Sequence, residues 1–204
     1  TITKHMISNG LLSDYQHGFV MGRSCTTQLL KVLDKIAEIL DEGGSVDNIY
    51  LDFAKAFDSV PHNRLLLKLK GYGVCGKVLD WIESFLKSRR QRVVDGGEFS
   101  GWAEVVSGVP HGSVLGPVLF VCYINDMPDA IESFIFMYAD DSKVGGRVGG
   151  YGESERLQRD LDRLVQWSVT WQMRFNAEKC KVMHIGRGNP GASYGMDTES
   201  GGRV

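Results

Sequence analysis

The sequence predicts an α+β fold with helices packed on one antiparallel sheet. Two observations carry this. Segments with apolar spacings of three and four, Cys25 to Leu40 and Ser154 to Met173, read as amphipathic helices. Between and after them lie short runs rich in branched and aromatic residues, Asn48 to Ala54, Phe134 to Ala139 and Cys180 to Ile185, which read as strands. Helices and strands in this mixed order suit a sheet with helices laid on it.

In chain order, Leu29, Leu33, Ile36 and Leu40 set the face of the first long helix, which Gly43-Gly44 stop. The run Asn48 to Ala54 is expected to be a buried strand with Asp52 in its middle, an expensive place for a carboxylate. His62 to Leu69 reads as a helix ending at Gly71 and Gly73, and Lys77 to Leu86 as another around Leu79, Ile82 and Leu86. A basic cluster follows at Lys87, Arg89, Arg90 and Arg92, running into two expected strands, Gln91 to Asp95 and Trp102 to Ser107, about the turn Gly96-Gly97. Ser113 is placed to cap a helix through Leu119 and Ile124 that is apolar nearly all round, hence buried. Phe134 to Ala139 and Ser142 to Val144 form an expected hairpin with Asp140-Asp141 at its tip. Leu157, Leu161, Leu164, Val165, Trp167 and Trp171 line the long second helix. The glycine-rich stretches 145–152 and 186–202 read as turns or flexible connections, and Trp81, Trp167 and Trp171 are expected in the core.

At 204 residues the chain is one large domain or two small ones, and 23 Lys plus Arg against 25 Asp plus Glu give a net charge of -2. Any contact with nucleic acid or an anionic membrane must therefore rest on local patches. Cys25, Cys75, Cys122 and Cys180 lie far apart without ligand-like spacing, which argues against a zinc finger or a disulfide scaffold and suits a reducing compartment. No apolar run reaches the roughly 20 residues of a membrane span. The opening, Thr1 to His5, has no Met and no signal-peptide pattern, so the chain is expected to be an internal piece of a longer protein.

The chemistry rests on carboxylates: one inside an apolar strand, and a pair at the end of another. Brought together they would raise one another's pKa unless cations neutralised them, and hard oxygen donors suit Mg²⁺ or Mn²⁺. Two such ions about 3.5 to 4 Å apart serve phosphoryl transfer. Spacing alone leaves open a strand-end cap of a neighbouring turn for Asp52 and a solvated hairpin tip for Asp140-Asp141.

The motifs resemble those of a known family. Tyr138-Ala139-Asp140-Asp141 resembles the central motif of reverse transcriptases. Leu51-Asp52-Phe53-Ala54-Lys55-Ala56-Phe57-Asp58 resembles the first carboxylate motif of the non-LTR (LINE-type) retrotransposon enzymes, and Ser107 to Pro117 (SGVPHGSVLGP) resembles their GVPQGSVLGP box. Gln16-His17-Gly18-Phe19 with Gly22-Arg23-Ser24 resembles the fingers-side QxGF box, Trp81 through Arg90-Gln91-Arg92-Val93 the segment before the GVPQG box, and Asn176 to Lys181 (NAEKCK) the closing NPEKC motif. Six boxes in the family's order cover most of the chain.

The resemblance implies a right-hand polymerase palm with partial fingers and no thumb. By it, 1–48 would be remaining fingers and a palm helix, 49–60 the strand with the first Asp, 61–105 the fingers–palm connection, 106–186 palm with the YADD hairpin, and 187–204 a flexible segment toward a missing primer grip and thumb. It implies Asp52, Asp140 and Asp141 as ligands of two Mg²⁺ ions, with Mn²⁺ as a substitute, and Lys179 as the proton donor to pyrophosphate. Phe53, Phe57, His111 and Gly112 would contact the nucleotide, Phe57 as the gate against a ribose 2′-hydroxyl. Arg23, Arg89, Arg90 and Arg92 would contact nucleic acid. Lys55 and Asp58 would be structural. The implied partners are an RNA template, a DNA primer and dNTPs, with no membrane, and an endonuclease elsewhere on the polypeptide. The implied location is intracellular, nuclear by the family's priming habit or cytoplasmic. Two departures stand out. His111 replaces the family's usual Gln, and Val20-Met21 replace the frequent Arg-Pro. Two readings therefore stand: the core of an RNA-directed DNA polymerase, or a truncated or degenerate retroelement remnant that at most binds nucleic acid.

Overall fold

A computed structural model describes residues 2–196. In chain order the elements are α1 (Ile2–Ser8), α2 (Cys25–Asp41), β1 (Ser45–Leu51), α3 (Ala56–Ser59), α4 (His62–Gly71), α5 (Lys77–Leu86), β2 (Arg90–Gln91), β3 (Val94–Asp95), β4 (Glu98–Phe99), β5 (Ala103–Glu104), α6 (Leu115–Ile124), a 3-10 turn (Met127–Ala130), β6 (Phe134–Tyr138), β7 (Asp141–Val148), α7 (Glu153–Trp171) and β8 (Lys181–Ile185). The chain divides into two compact units. One holds the residues up to Leu11 with Lys55–Tyr123, the other Leu12–Ala54 with the chain from Ile124 onward.

The second unit is built on a four-stranded sheet in the order β6-β7-β1-β8, every neighbour antiparallel. Central β1 is buried along nearly its whole length, its polar Ser45, Asp47 and Asn48 included. On one face, Val46 and Phe136 pack against Val32 and Ile36 of α2, with Ile39, Phe134 and Ile185 around them. Ile49, Ile135 and Val144, which share register, point to the other face, and Leu157, Leu161 and Leu164 of α7 are buried there as α7 packs on β7.

The sequence reading needs several corrections here. The buried stripe of α2 is Gln28, Val32 and Ile36, leaving Leu29 and Leu33 exposed. The helix is rotated so that the Gln28 amide oxygen accepts from Lys143 Nζ at 3.1 Å, a polar contact no hydropathy pattern encodes. Gly145 and Gly146 are ladder residues of β7, not a flexible turn. The Phe134 ring lies where a Gly145 side chain would be, so the small residue serves packing. Trp81 is 57% exposed, stacked on Phe85, while Trp167 is partly buried and donates to Asp126 Oδ1 at 3.0 Å. Of the 186–202 stretch, 197–202 lie outside the described residues.

The first unit packs α1, α3, α4, α5 and most of α6 about Met6, Leu65, Leu69, Ile82, Leu86 and Phe120. Ser113 caps α6 as expected, its Oγ accepting from Gly116 N–H at 2.9 Å, and Leu119 through Ile124 are all buried. The expected strand pair is instead two separate ladders, β2 with β5 and β3 with β4.

Behind β8, fully buried Asp47 accepts hydrogen bonds from His184 Nδ1 and Asn189 Nδ2, each at 2.7 Å, and from the Tyr194 hydroxyl at 2.6 Å. One carboxylate thus ties the segment after β8 to the central strand. Tyr194→Phe is expected to cost about 1.5 to 3 kcal/mol in urea unfolding, as for a lost hydrogen bond to a charged group.

Candidate active site

The register of the sheet decides where the acidic residues go. Leu51, the last residue of β1, lies opposite Ser142 of β7, so the next residues along, Asp52 and Asp141, leave the ladder together. Tyr138 pairs with Asp141, which leaves Ala139-Asp140 as a two-residue turn. Ala139 carries φ +53°, the left-handed conformation such turns require at their first central residue. All three carboxylates thus meet at one end of the sheet. Asp52 stands just beyond its strand rather than in its middle, and of the acidic pair only Asp140 occupies the tip.

The turn is held by a segment to which sequence reasoning gave no role beyond its resemblance. Met137 N–H donates to Tyr15 O at 2.9 Å and His17 N–H to Met137 O at 2.8 Å, laying Tyr15 to Gly18 along β6. Gln16 is fully buried, and its Oε1 accepts from both Gly18 N–H at 2.7 Å and Ala139 N–H at 2.9 Å. A Cβ on Gly18 would collide with the Ala139 amide, so only glycine permits the approach. The signal available in the sequence was the pairing of a Gln with a Gly two residues on.

Asp52 is fixed from the other side by the Asn176 to Cys180 turn. Asn176 N–H donates to Asp52 O and Ala54 N–H to Arg174 O, both at 2.8 Å. Buried Cys180 lies beside the Asp52 backbone, and burial raises its thiol pKa. Lys179 Nζ stands 3.5 Å from Asp52 Oδ1, an oxygen shut from solvent that accepts no hydrogen bond. Burial, joined by the charges of Asp141 and Asp52, raises the Asp140 carboxyl above its ordinary range, against a lowering hydrogen bond from its own amide.

Other expected site residues belong to the first unit. Phe57 of α3 stacks on Phe120 at 4.4 Å with its ring 5.7 Å from that of His111. His111 Nε2 lies 2.7 Å from Asp58 Oδ1, both exposed. The loop carrying it is pinned to α3 by Gly108 N–H on Val60 O and Val109 N–H on Phe57 O, both 2.8 Å. Gly112 has φ +73° and open space around it.

Three expected contact residues face inward instead. Phe53 is 5% exposed and stacked on Phe175 at 4.6 Å, because the bridge between these residues carries its ring into the core. Arg89 donates to Leu86 O at 2.8 Å and Gly108 O at 2.7 Å, and His62 Nε2 lies 2.9 Å from the same Gly108 oxygen. Arg23 donates to Ser13 O at 2.8 Å and Gln16 O at 2.6 Å, and pairs with Asp14. Arg90 and Arg92 remain exposed.

Residues 1–200 match the family profile described as reverse transcriptase (RNA-dependent DNA polymerase), and the chain belongs to that family. It is 34% identical over 175 residues to the RNA-directed DNA polymerase from mobile element jockey of Drosophila melanogaster, a match covering 81% of this chain and 19% of that protein. The probable RNA-directed DNA polymerase from transposon X-element of the same fly is 30% identical over 184 residues, 87% of this chain and 20% of the other. The chain therefore spans about a fifth of the length of these curated relatives. Among solved structures, telomerase from Candida tropicalis in complex with a TWJ fragment of telomeric RNA superposes with a TM-score of 0.68 at 12% identity, covering 92% of this chain and 33% of that one. The fold is that of a right-hand polymerase.

Two outcomes follow. Gln16→Ala strands two buried amides and is expected to cost about 2 to 4 kcal/mol in urea unfolding. A carboxyl raised in the folded state contributes stability in full below the unfolded range and loses it as pH climbs through the raised value. Asp140→Asn is therefore expected to raise the thermal midpoint of the metal-free protein at neutral pH, with the gain shrinking toward about pH 4.

Proposed function

We propose that this chain is the catalytic core of a retrotransposon RNA-directed DNA polymerase, with its four-stranded unit as the palm. The meeting of Asp52, Asp140 and Asp141 at one end of the sheet, with Lys179 beside Asp52, is the observation that carries the reading. Among the described residues no three acidic, His or Cys side chains are drawn around a single point. The donor set nonetheless suits hard divalent cations, and the sequestered Asp52 Oδ1 accepts no hydrogen bond, with the Lys179 ammonium 3.5 Å away as its ion-pair partner. Asp52 and Asp140, with Asp141 as the less direct partner, are the residues proposed to hold Mg²⁺ or Mn²⁺. Bound there, the ions would activate the primer hydroxyl and neutralise charge on the transferring phosphoryl group.

The chain's own groups have separate tasks in this proposal. The Asn176 and Cys180 contacts hold the Asp52 backbone, and Gln16 holds the turn that presents Asp140. The primer 3′-hydroxyl would lose its proton to solvent as its oxygen bonds to the α-phosphorus of a dNTP and the bond to pyrophosphate breaks, and the Lys179 ammonium is proposed to give its proton to that leaving group. Phe57, His111 and Gly112 are proposed for nucleotide recognition, and an RNA template and DNA primer as partners. Action inside the cell, in nucleus or cytoplasm, belongs to the same proposal.

The test is Mg²⁺-dependent extension of a DNA primer on an RNA template, by this chain and by a form extended at both ends toward the length of its relatives. Extension by the wild type that falls at least about a hundredfold in Asp52→Asn and in Asp140→Asn is expected. A folded protein that binds primer–template but extends nothing at either length would favour the remnant.

A further inference from the structure

The segment between α5 and the His111 loop forms an arm with an unusual surface. Every residue from Gln91 to Glu104 is exposed, and its two short ladders, β2 with β5 and β3 with β4, each stand as a separate two-stranded sheet. An isolated ribbon of this kind is marginal in water and gains from a partner. Arg89 roots it, turning inward to Leu86 O and Gly108 O. Beyond that root one side carries a row of rings and guanidinium groups. The Arg92 guanidinium lies 4.1 Å from the Phe99 ring centroid and 4.7 Å from that of Trp102, and Arg90 lies 5.8 Å from Trp102. Phe99 is 57% and Trp102 54% exposed. Neither arginine is ion-paired among the described residues, although Glu104 stands opposite Arg90 in register.

We infer that this face of the arm binds an unpaired nucleic-acid strand, with Phe99, Trp102 and the Arg92 plane stacking on bases and Arg90 and Arg92 meeting phosphates. The choice of nucleic acid over protein rests on the polymerase reading above; the choice of an unpaired strand rests on the arm itself. A duplex stacks its bases on one another and offers mainly phosphates, which would leave two exposed aromatic rings without use. An unpaired strand offers base faces and phosphates together, and any base satisfies a stacking platform, so the contact is sequence-tolerant. The tip, where Asp95 opposes Glu98, repels phosphate and confines the strand to the half nearer the root.

Fluorescence anisotropy with a labelled oligouridine strand, and with a blunt RNA duplex as comparison, tests this on the full chain. Trp102→Ala is expected to weaken binding to the single strand about tenfold, with Trp102→Phe retaining most of it. Arg92→Ala is expected to weaken it and to lower the salt slope by about one, with duplex affinity little changed in any variant. Matching thermal midpoints would show the variants folded, as an exposed arm allows. Equal single-strand affinity in wild type and Trp102→Ala overturns the inference, whether or not the wild type extends a primer. So does a Trp102→Ala variant that loses only self-association in sedimentation. Failure of wild-type primer extension alongside Trp102-dependent strand binding would instead sink the polymerase reading and keep the strand site.

Discussion

Like charges resist being gathered, and the β1–β7 register gathers three carboxylates at the end of one sheet. Burial first, and then the charges of Asp141 and Asp52, raise the Asp140 carboxyl. Folding must overcome that repulsion with something that has no charge of its own to add. Gln16 does so at the hairpin, where a neutral amide oxygen answers two backbone donors and fixes a left-handed Ala139. Around Asp52 the backbone bonds of the Asn176 turn do the same, and Lys179 supplies the nearest positive charge.

The same economy of buried polar anchors recurs across the sheet unit. Asp47 collects three donors behind β8. Fully buried Asp160 of α7 accepts from the Glu132 and Ser133 amides and from Arg163, so it ties the long helix to the entry of β6. Each anchor serves an edge or a connection that apolar packing leaves loose, since buried polar groups that are fully paired fix geometry more sharply than apolar contact does. The strands that carry the carboxylates are thus positioned from both ends, which is what a site built on close register demands.

Much of this was legible in the sequence, and each failure has a physical cause. Periodicity located α2, α5 and α7, and runs of branched and aromatic residues located β1, β6 and the half-exposed β8. The ordered boxes located the carboxylates. Periodicity erred on the face of α2, where Gln28 is drawn inward by Lys143, and on Trp81, whose apolar area rests on Phe85 at the surface. Composition misjudged Gly145, which reads as a hinge yet makes room for Phe134. Arg89, in the basic run, and Arg23, beside the QxGF box, both donate to backbone carbonyls, contacts that the residue types alone do not announce. The Gln28–Lys143 and Arg89–Gly108 contacts join residues 115 and 19 positions apart, beyond the reach of a local pattern.

Under the proposed function, the carboxylates that the sheet register brings to one end of the sheet would hold cations together. Titration of Mn²⁺ by electron paramagnetic resonance, on the wild type and on Asp52→Asn and Asp140→Asn separately, tests it most directly. The account predicts saturable binding by the wild type that either single substitution weakens sharply, because both strands contribute to the same site. Binding unchanged by Asp52→Asn would contradict it, since the β1 carboxylate would then play no part in holding the ion.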